Sequence, residues 1–272
     1  MSGYLRTMSN VVKVGMTRPI VLLSFATAIM ATAGCGQDPL GSVATDTQTR
    51  GWLGAPTIDS ATRSEDGVQI SGRAQPGSRI VMRGDPGTAF AVVTGEEGRF
   101  GLRLPQPAVD TLYVVEVQVG EDAIPAAARL LVASRPGGPL ALITPGSPTR
   151  RLDPMIGLDV IDSDGRTRVA SGRAVAGRQV AIAVDNAQAA TVTTDRSGRW
   201  TLNVGASSTS AVTIKVDGIE HSYPGEAQAE LPFGRLTPAG RGVGLRWNLS
   251  DTAEQYSWFT IQGDKAGSAL EN

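Results

Sequence analysis

The sequence predicts an all-β protein in which two tandem β-sandwich domains are followed by a C-terminal β-hairpin. A block of thirty residues recurs without a gap 100 positions further along the chain. Within each copy, short apolar or alternating runs are separated by turn residues, the pattern of strands. After the first 34 residues no apolar stripe of helical period is present.

The N-terminus has the layout of a secretory signal. Arg6, Lys13 and Arg18 stand without any acidic residue, an apolar run covers residues 20–30, and small residues follow. The run is too short to cross a bilayer, which takes about 20 apolar residues. It leads into Thr32-Ala33-Gly34-Cys35, which contains the only cysteine of the chain. This stretch resembles the bacterial lipobox, with Thr32 where the family usually has Leu. The resemblance implies a signal peptide over 1–34 and lipidation of Cys35 as the mature N-terminus. The alternative is an ordinary signal peptide cut at an Ala-x-Ala-like site, with Cys35 incidental. A lone cysteine in an exported chain has no disulfide partner, so lipidation is the reading that gives it a role. Two or more acyl chains anchor stably where one does not. Gly36 rather than Asp follows Cys35, and by resemblance to enterobacterial lipoproteins this implies an outer-membrane location. The lipidated end and a flexible tether span 35–50, since Gln37-Asp38-Pro39 and Thr45-Asp46-Thr47-Gln48-Thr49 lack apolar periodicity.

Removal of the leader leaves 25 − 3 = 22 basic residues against 26 acidic ones, a net charge of −4. With no basic tract, nucleic-acid binding is disfavoured, as is a purely electrostatic grip on anionic lipid. The expected partners are a membrane, through the N-terminal lipid, and an envelope protein or glycan.

The first domain is expected over 51–135. Its strands are Val68-Gln69-Ile70-Ser71, Arg79-Ile80-Val81-Met82, Ala89-Phe90-Ala91-Val92-Val93, and the alternating runs 99–104 and 112–119. The second domain, 154–232, repeats them as 168–170, 179–184, 190–193, 200–204 and 211–216. Ser71, Gly72, Arg73, Ala74, Gly77, Asp85, Ala89, Val92, Thr94, Gly98 and Arg99 each recur 100 positions later, eleven identities in thirty. About seven strands per copy, with turns every 8 to 12 residues, indicate a sandwich. Gly77 and Gly177 are placed in tight turns, while Gly98 and Gly198 close hairpin loops with a glycine bulge. Phe100 and Trp200, two residues on, are expected to point inward as core anchors.

The motifs Ser-Gly-Arg-Ala-Gln-Pro-Gly-Ser-Arg-Ile with Thr-Gly-Glu-Glu-Gly-Arg-Phe, and Ser-Gly-Arg-Ala-Val-Ala-Gly-Arg-Gln-Val with Thr-Asp-Arg-Ser-Gly-Arg-Trp, resemble bacterial immunoglobulin-like domains. The resemblance covers about two thirds of the chain. It implies tandem immunoglobulin-like domains with a structural or adhesive role, as in cell-surface proteins where such domains act as spacers and binding modules. Ala176 stands where the family's turn usually has proline.

Between the copies, 136–153 reads as a Pro/Gly linker whose apolar insert Leu140-Ala141-Leu142-Ile143 either packs on a domain face or pairs as an edge strand. The extension 233–272 has no counterpart in the first copy. Residues 242–249 and 255–262 flank Ser250-Asp251-Thr252-Ala253-Glu254 as a hairpin, which must dock on the second domain, a partner or another copy because an isolated hairpin is marginal in water. Trp247, Tyr256, Trp258 and Phe259 are the candidate partner-binding residues. Two readings apply: packing against the second domain, or a surface for a partner or for stacking on sugar rings.

No catalytic residues, cofactor or metal are expected. His221, the only histidine, lies in Glu220-His221-Ser222-Tyr223 without a nucleophile motif. Zinc usually takes Cys and His. Asp162-Ser163-Asp164-Gly165 has the look of a calcium-loop start, but Arg173 stands where the twelfth-position Glu belongs, so a turn between strands is expected. The sequence thus predicts a non-catalytic envelope lipoprotein with a structural, assembly or adhesion role. The alternative is a carbohydrate-binding module for peptidoglycan or surface polysaccharide.

Overall fold

The computed structural model describes residues 54–84, 87–153, 155–206, 210–226, 232–250 and 253–261. The leader, Cys35 and the tether lie outside them. The described residues form nineteen strands and no helix, arranged in four antiparallel sheets. Residues 50–272 belong to one compact unit.

In the first copy, β1 (Thr57–Ser64), β2 (Gly67–Arg73) and β5 (Arg99–Leu104) make the first sheet, in the order β1-β2-β5. The second sheet contains β3 (Arg79–Gly84), β4 (Thr88–Val93), β6 (Thr111–Val119) and β7 (Asp122–Val132), in the order β4-β3-β6-β7. It continues through β8 (Leu140–Ile143) and β9 (Arg150–Arg151). The second copy repeats the order. Its third sheet contains β10 (Gly157–Ser163), β11 (Thr167–Arg173) and β14 (Arg199–Ala206), running β14-β11-β10. The fourth sheet is β13-β12-β15-β16, from β12 (Gln179–Val184), β13 (Ala187–Thr193), β15 (Val212–Val216) and β16 (Ile219–Tyr223). Beyond β10, the third sheet is extended by β19 (Ala253–Thr260), β18 (Gly242–Ser250) and β17 (Leu236–Ala239).

The repeated residues have matching structural roles. Each copy has its bulge at the same place, between Ile58 and Ser60 and between Leu158 and Val160. Gly77 and Gly177, Gly98 and Gly198 all hold positive φ near 70° to 76°, a region glycine enters without steric cost. The Thr94 hydroxyl donates to the Gln75 carbonyl at 2.6 Å, and Thr194 repeats this with Val175 at 2.7 Å. Gly72 and Gly172 admit the rings of Phe100 and Trp200, since a Cβ at either position would overlap the ring and a carbonyl of the preceding strand. Both rings are buried core members.

Alternation along the strands produces three apolar layers. Ile70, Met82, Phe100, Val115 and Leu130 pack between the first and second sheets. Ile161, Ile182, Trp200, Ile214 and Trp258 pack between the third and fourth. The remaining layer joins the copies: Leu131, Ala141 and Ile143 of the second sheet meet Val160, Val243, Leu245, Trp247 and Phe259 of the third. The insert 140–143 therefore pairs as a strand, with β7 on one side and β9 on the other. Its even residues face the first sheet and its odd residues the third. Fully burying a large aliphatic or aromatic side chain contributes about 1.5–3 kcal/mol. Seven such residues, with Ala141 beside them, give this layer on the order of 10 kcal/mol before entropic costs. Domain motion is the usual expectation where an interface is small or polar, and this apolar layer within one compact unit opposes independent motion of the two copies.

Candidate functional site

The four candidate partner-binding residues are all buried. Trp247 is 2% exposed, Tyr256 5%, Trp258 2% and Phe259 0%. Successive side chains of β19 point to opposite faces, so Tyr256 and Trp258 enter the layer against the fourth sheet while Phe259 enters the layer between the copies. Trp247 on β18 joins Phe259. On β18 the positions facing the fourth sheet are Gly242 and Gly244, and any Cβ there would collide with the Trp258 or Tyr256 ring. The Trp258 indole N–H donates to the Ala239 carbonyl at 2.8 Å. Packing against the second domain describes Tyr256 and Trp258, whereas Trp247 and Phe259 pack in the layer shared with the first copy. None of the four rings is available for stacking on a sugar or a partner. Lipidation at Cys35 lies outside the described residues.

A buried polar knot fixes the hairpin to the linker. The Asp162 carboxylate accepts hydrogen bonds from the Thr149 backbone N–H at 2.7 Å and its hydroxyl at 2.7 Å, from Gln255 at 2.8 Å and from Ser257 at 2.6 Å. Burial pushes the Asp162 carboxyl above its ordinary value, opposed by the bonds from Ser257, Thr149 and Gln255. A carboxyl raised in the folded chain binds its proton more tightly folded than unfolded. Its stabilising contribution is therefore full below the ordinary carboxylate range and is lost as pH rises through the folded value. Relative to Asp162→Asn, the native chain is expected to lose stability as pH is raised from about 3 to 7. Urea titrations across that range check the sign, and a native chain that gains stability over Asp162→Asn as pH rises contradicts it.

Nearby, Arg151 is 1% exposed, ion-paired with Asp153 at 2.7 Å and bonded to the Thr260 carbonyl at 2.5 Å. The repeat arginines of the second copy hold the same segment: Arg199 donates to the Arg151 carbonyl at 2.8 Å, and Arg173 bonds both the Asp153 carbonyl and Asp159. In the first copy the matching pair Arg73 and Asp59 is solvent-exposed at 69% and 44%.

The histidine and the acidic turn residues weighed for chemistry lie apart from one another. His221 lies on β16 opposite Ile214, lining a cleft of about 150 Å³ with Ile156, Arg241 and Trp258. Asp164 accepts bonds from the N–H groups of Arg166 and Thr167, closing the turn between β10 and β11, while Asp162 points into the knot. Among the described residues no group of three or more His, Cys, Asp or Glu is placed to hold a metal ion. No described helix is long and apolar enough to cross a membrane.

Two clefts above 500 Å³ border the hairpin among the described residues. One, of about 590 Å³, is lined by the β10–β11 turn, Glu226, Arg246 and Glu254, where Arg246 and Glu254 pair with each other. The other, of about 530 Å³, is a groove where the outer face of the second sheet emerges from under the hairpin. Its floor carries Arg83, Val114 and Arg129, cross-strand neighbours on β3, β6 and β7. Its wall is Phe233-Gly234-Arg235 with Trp247 and Asn248. Asp110 at its end is occupied, accepting from the Ser134 N–H at 2.8 Å and hydroxyl at 2.9 Å. Sequence reasoning singled out the extension 233–272 but not Arg83, Arg129 or Arg235. These come from segments far apart in the chain, and no local spacing signals their convergence.

No protein-family model matches the chain, and no curated protein is similar enough to count as a relative.

Proposed function

We propose that the chain is a non-catalytic lipoprotein of the bacterial cell envelope, anchored through Cys35 and acting in structure, assembly or adhesion. In this reading residues 1–34 are the signal peptide, Cys35 carries the lipid, and 36–50 hold the body off the membrane, by resemblance to outer-membrane lipoproteins. The sandwiches are read as immunoglobulin-like. Supporting this, each copy opposes a three-stranded sheet to a four-stranded one in the same order, β1-β2-β5 with β4-β3-β6-β7 and β10-β11-β14 with β13-β12-β15-β16.

The observation that carries the reading is the use made of the linker and the hairpin. Both are consumed in building an apolar layer between the copies, which turns two modules into one spacer of fixed shape. A role as a rigid element follows more naturally from this than catalysis, since the clefts lined by described residues bring together no nucleophile with an oriented base. A carbohydrate-binding role through Trp247, Tyr256 or Trp258 loses its support with their burial.

Membrane fractionation tests the anchor. The native chain is expected in the membrane fraction and Cys35→Ala in the soluble fraction. Persistence of the variant in membranes would overturn the lipid-anchor reading.

A further inference from the structure

The geometry points to the 530 Å³ groove as a binding site for an acidic, carboxylate-bearing polysaccharide. The chain has a formal net charge of −1, yet this groove gathers three guanidinium groups. Arg83 is paired with Glu116 at 2.8 Å. Arg129 and Arg235 line the groove as exposed side chains, and no ion pair holds either of them among the described residues. Arg83 and Arg129 sit on one cross-strand row, separated by Val114, so their Cα atoms are about 10 Å apart at the usual strand spacing. A guanidinium fork matches a carboxylate in a planar, two-bond contact; Arg129 and Arg235 offer two such forks to a chain with repeated carboxylates, while Arg83 stays engaged by Glu116.

Phe233 adds an apolar face. It is 48% exposed, and the Arg246 guanidinium lies 4.9 Å from its ring centroid. Asn248, exposed on the groove wall, supplies an amide suited to hydroxyls.

The floor argues for a glycan over a peptide. An extended peptide is recognised chiefly through main-chain bonds to an open sheet edge. Here the floor strands are interior: β3 lies between β4 and β6, β6 between β3 and β7, and β7 between β6 and β8. Their backbone groups are used in the ladders, leaving side-chain tips and a ring face, which are the means of recognising a polyol with carboxylates.

The test measures binding of purified full-length chain, in detergent, to polygalacturonate, with neutral dextran and poly-glutamate as comparison polymers. Binding is expected to polygalacturonate alone, weakening as salt is raised. Arg129→Ala and Arg235→Ala are each expected to reduce it by about tenfold. Arg196→Ala, which removes the same charge from the exposed β13–β14 loop, is expected to leave it unchanged. All three positions are exposed, so circular dichroism should show an intact fold. Three results would each overturn the inference: no polygalacturonate binding, binding insensitive to Arg129 and Arg235, or equal binding of poly-glutamate. The site stands whether or not Cys35 is lipidated, so the fractionation result and this one fail separately.

Discussion

Ending the chain after residue 232 is expected to unfold the second sandwich as well as removing the hairpin. Strand β19 completes the third sheet along β10, pairing Val160 through Ser163 with Phe259 through Tyr256. It supplies Tyr256 and Trp258 to the layer against the fourth sheet. Its loss uncovers the apolar residues Val160, Leu131, Ala141 and Ile143 and leaves Asp162 without Gln255 and Ser257. Losing either buried aromatic alone costs about 3–5 kcal/mol, against a total stability of about 5–15 kcal/mol for a typical domain. The shortened chain should show no cooperative transition for the second copy and should bind a hydrophobic dye. A truncated chain that unfolds with the native midpoint would show that the hairpin is an appendage.

Trp258→Ala is the point substitution with the largest expected effect. The side chain fills the layer between the third and fourth sheets, 5.9 Å from the Tyr223 ring in an edge-on arrangement. Its N–H satisfies the buried Ala239 carbonyl. Truncation creates a cavity and strands that carbonyl, costing about 3–5 kcal/mol in urea unfolding. Ile156→Ala, at a residue 82% exposed, is expected to stay within about 0.5 kcal/mol of the native chain. Similar midpoints for the two variants would contradict the packing described.

The repeat was the most legible feature, because identities such as Gly72, Thr94, Gly98 and their counterparts have local geometric causes. Gly72 cannot take a Cβ beneath Phe100, and Gly98 needs positive φ. The runs expected for strands such as Arg99–Leu104 and Gln179–Val184 match β5 and β12. Strand β7 was hidden by its composition, Asp-Ala-Ile-Pro-Ala-Ala-Ala-Arg-Leu-Leu-Val. Alanine and proline are depleted in strands, and Pro125 is tolerated beside the irregularity between Val114 and Glu116.

The fate of the hairpin aromatics was not legible, because the sequence states their alternation but not how many faces are covered. A hairpin on an open sheet would show one face to solvent. Here both faces are covered, one by the fourth sheet and the other by the second, and burial follows from that stacking. The groove was illegible for a related reason: Arg83, Arg129 and Arg235 become neighbours only when the extension folds back over the first copy.

The central claim is that the two sandwiches form one rigid body. Spin labels placed through cysteines at Arg103, on β5 of the first sheet, and at Arg196, in the β13–β14 loop, test it most directly in a Cys35→Ser background free of other thiols. A single narrow distance distribution, unchanged with temperature and salt, is the predicted result. A broad or multi-peaked distribution, as two domains swinging on a flexible linker would give, would contradict the account.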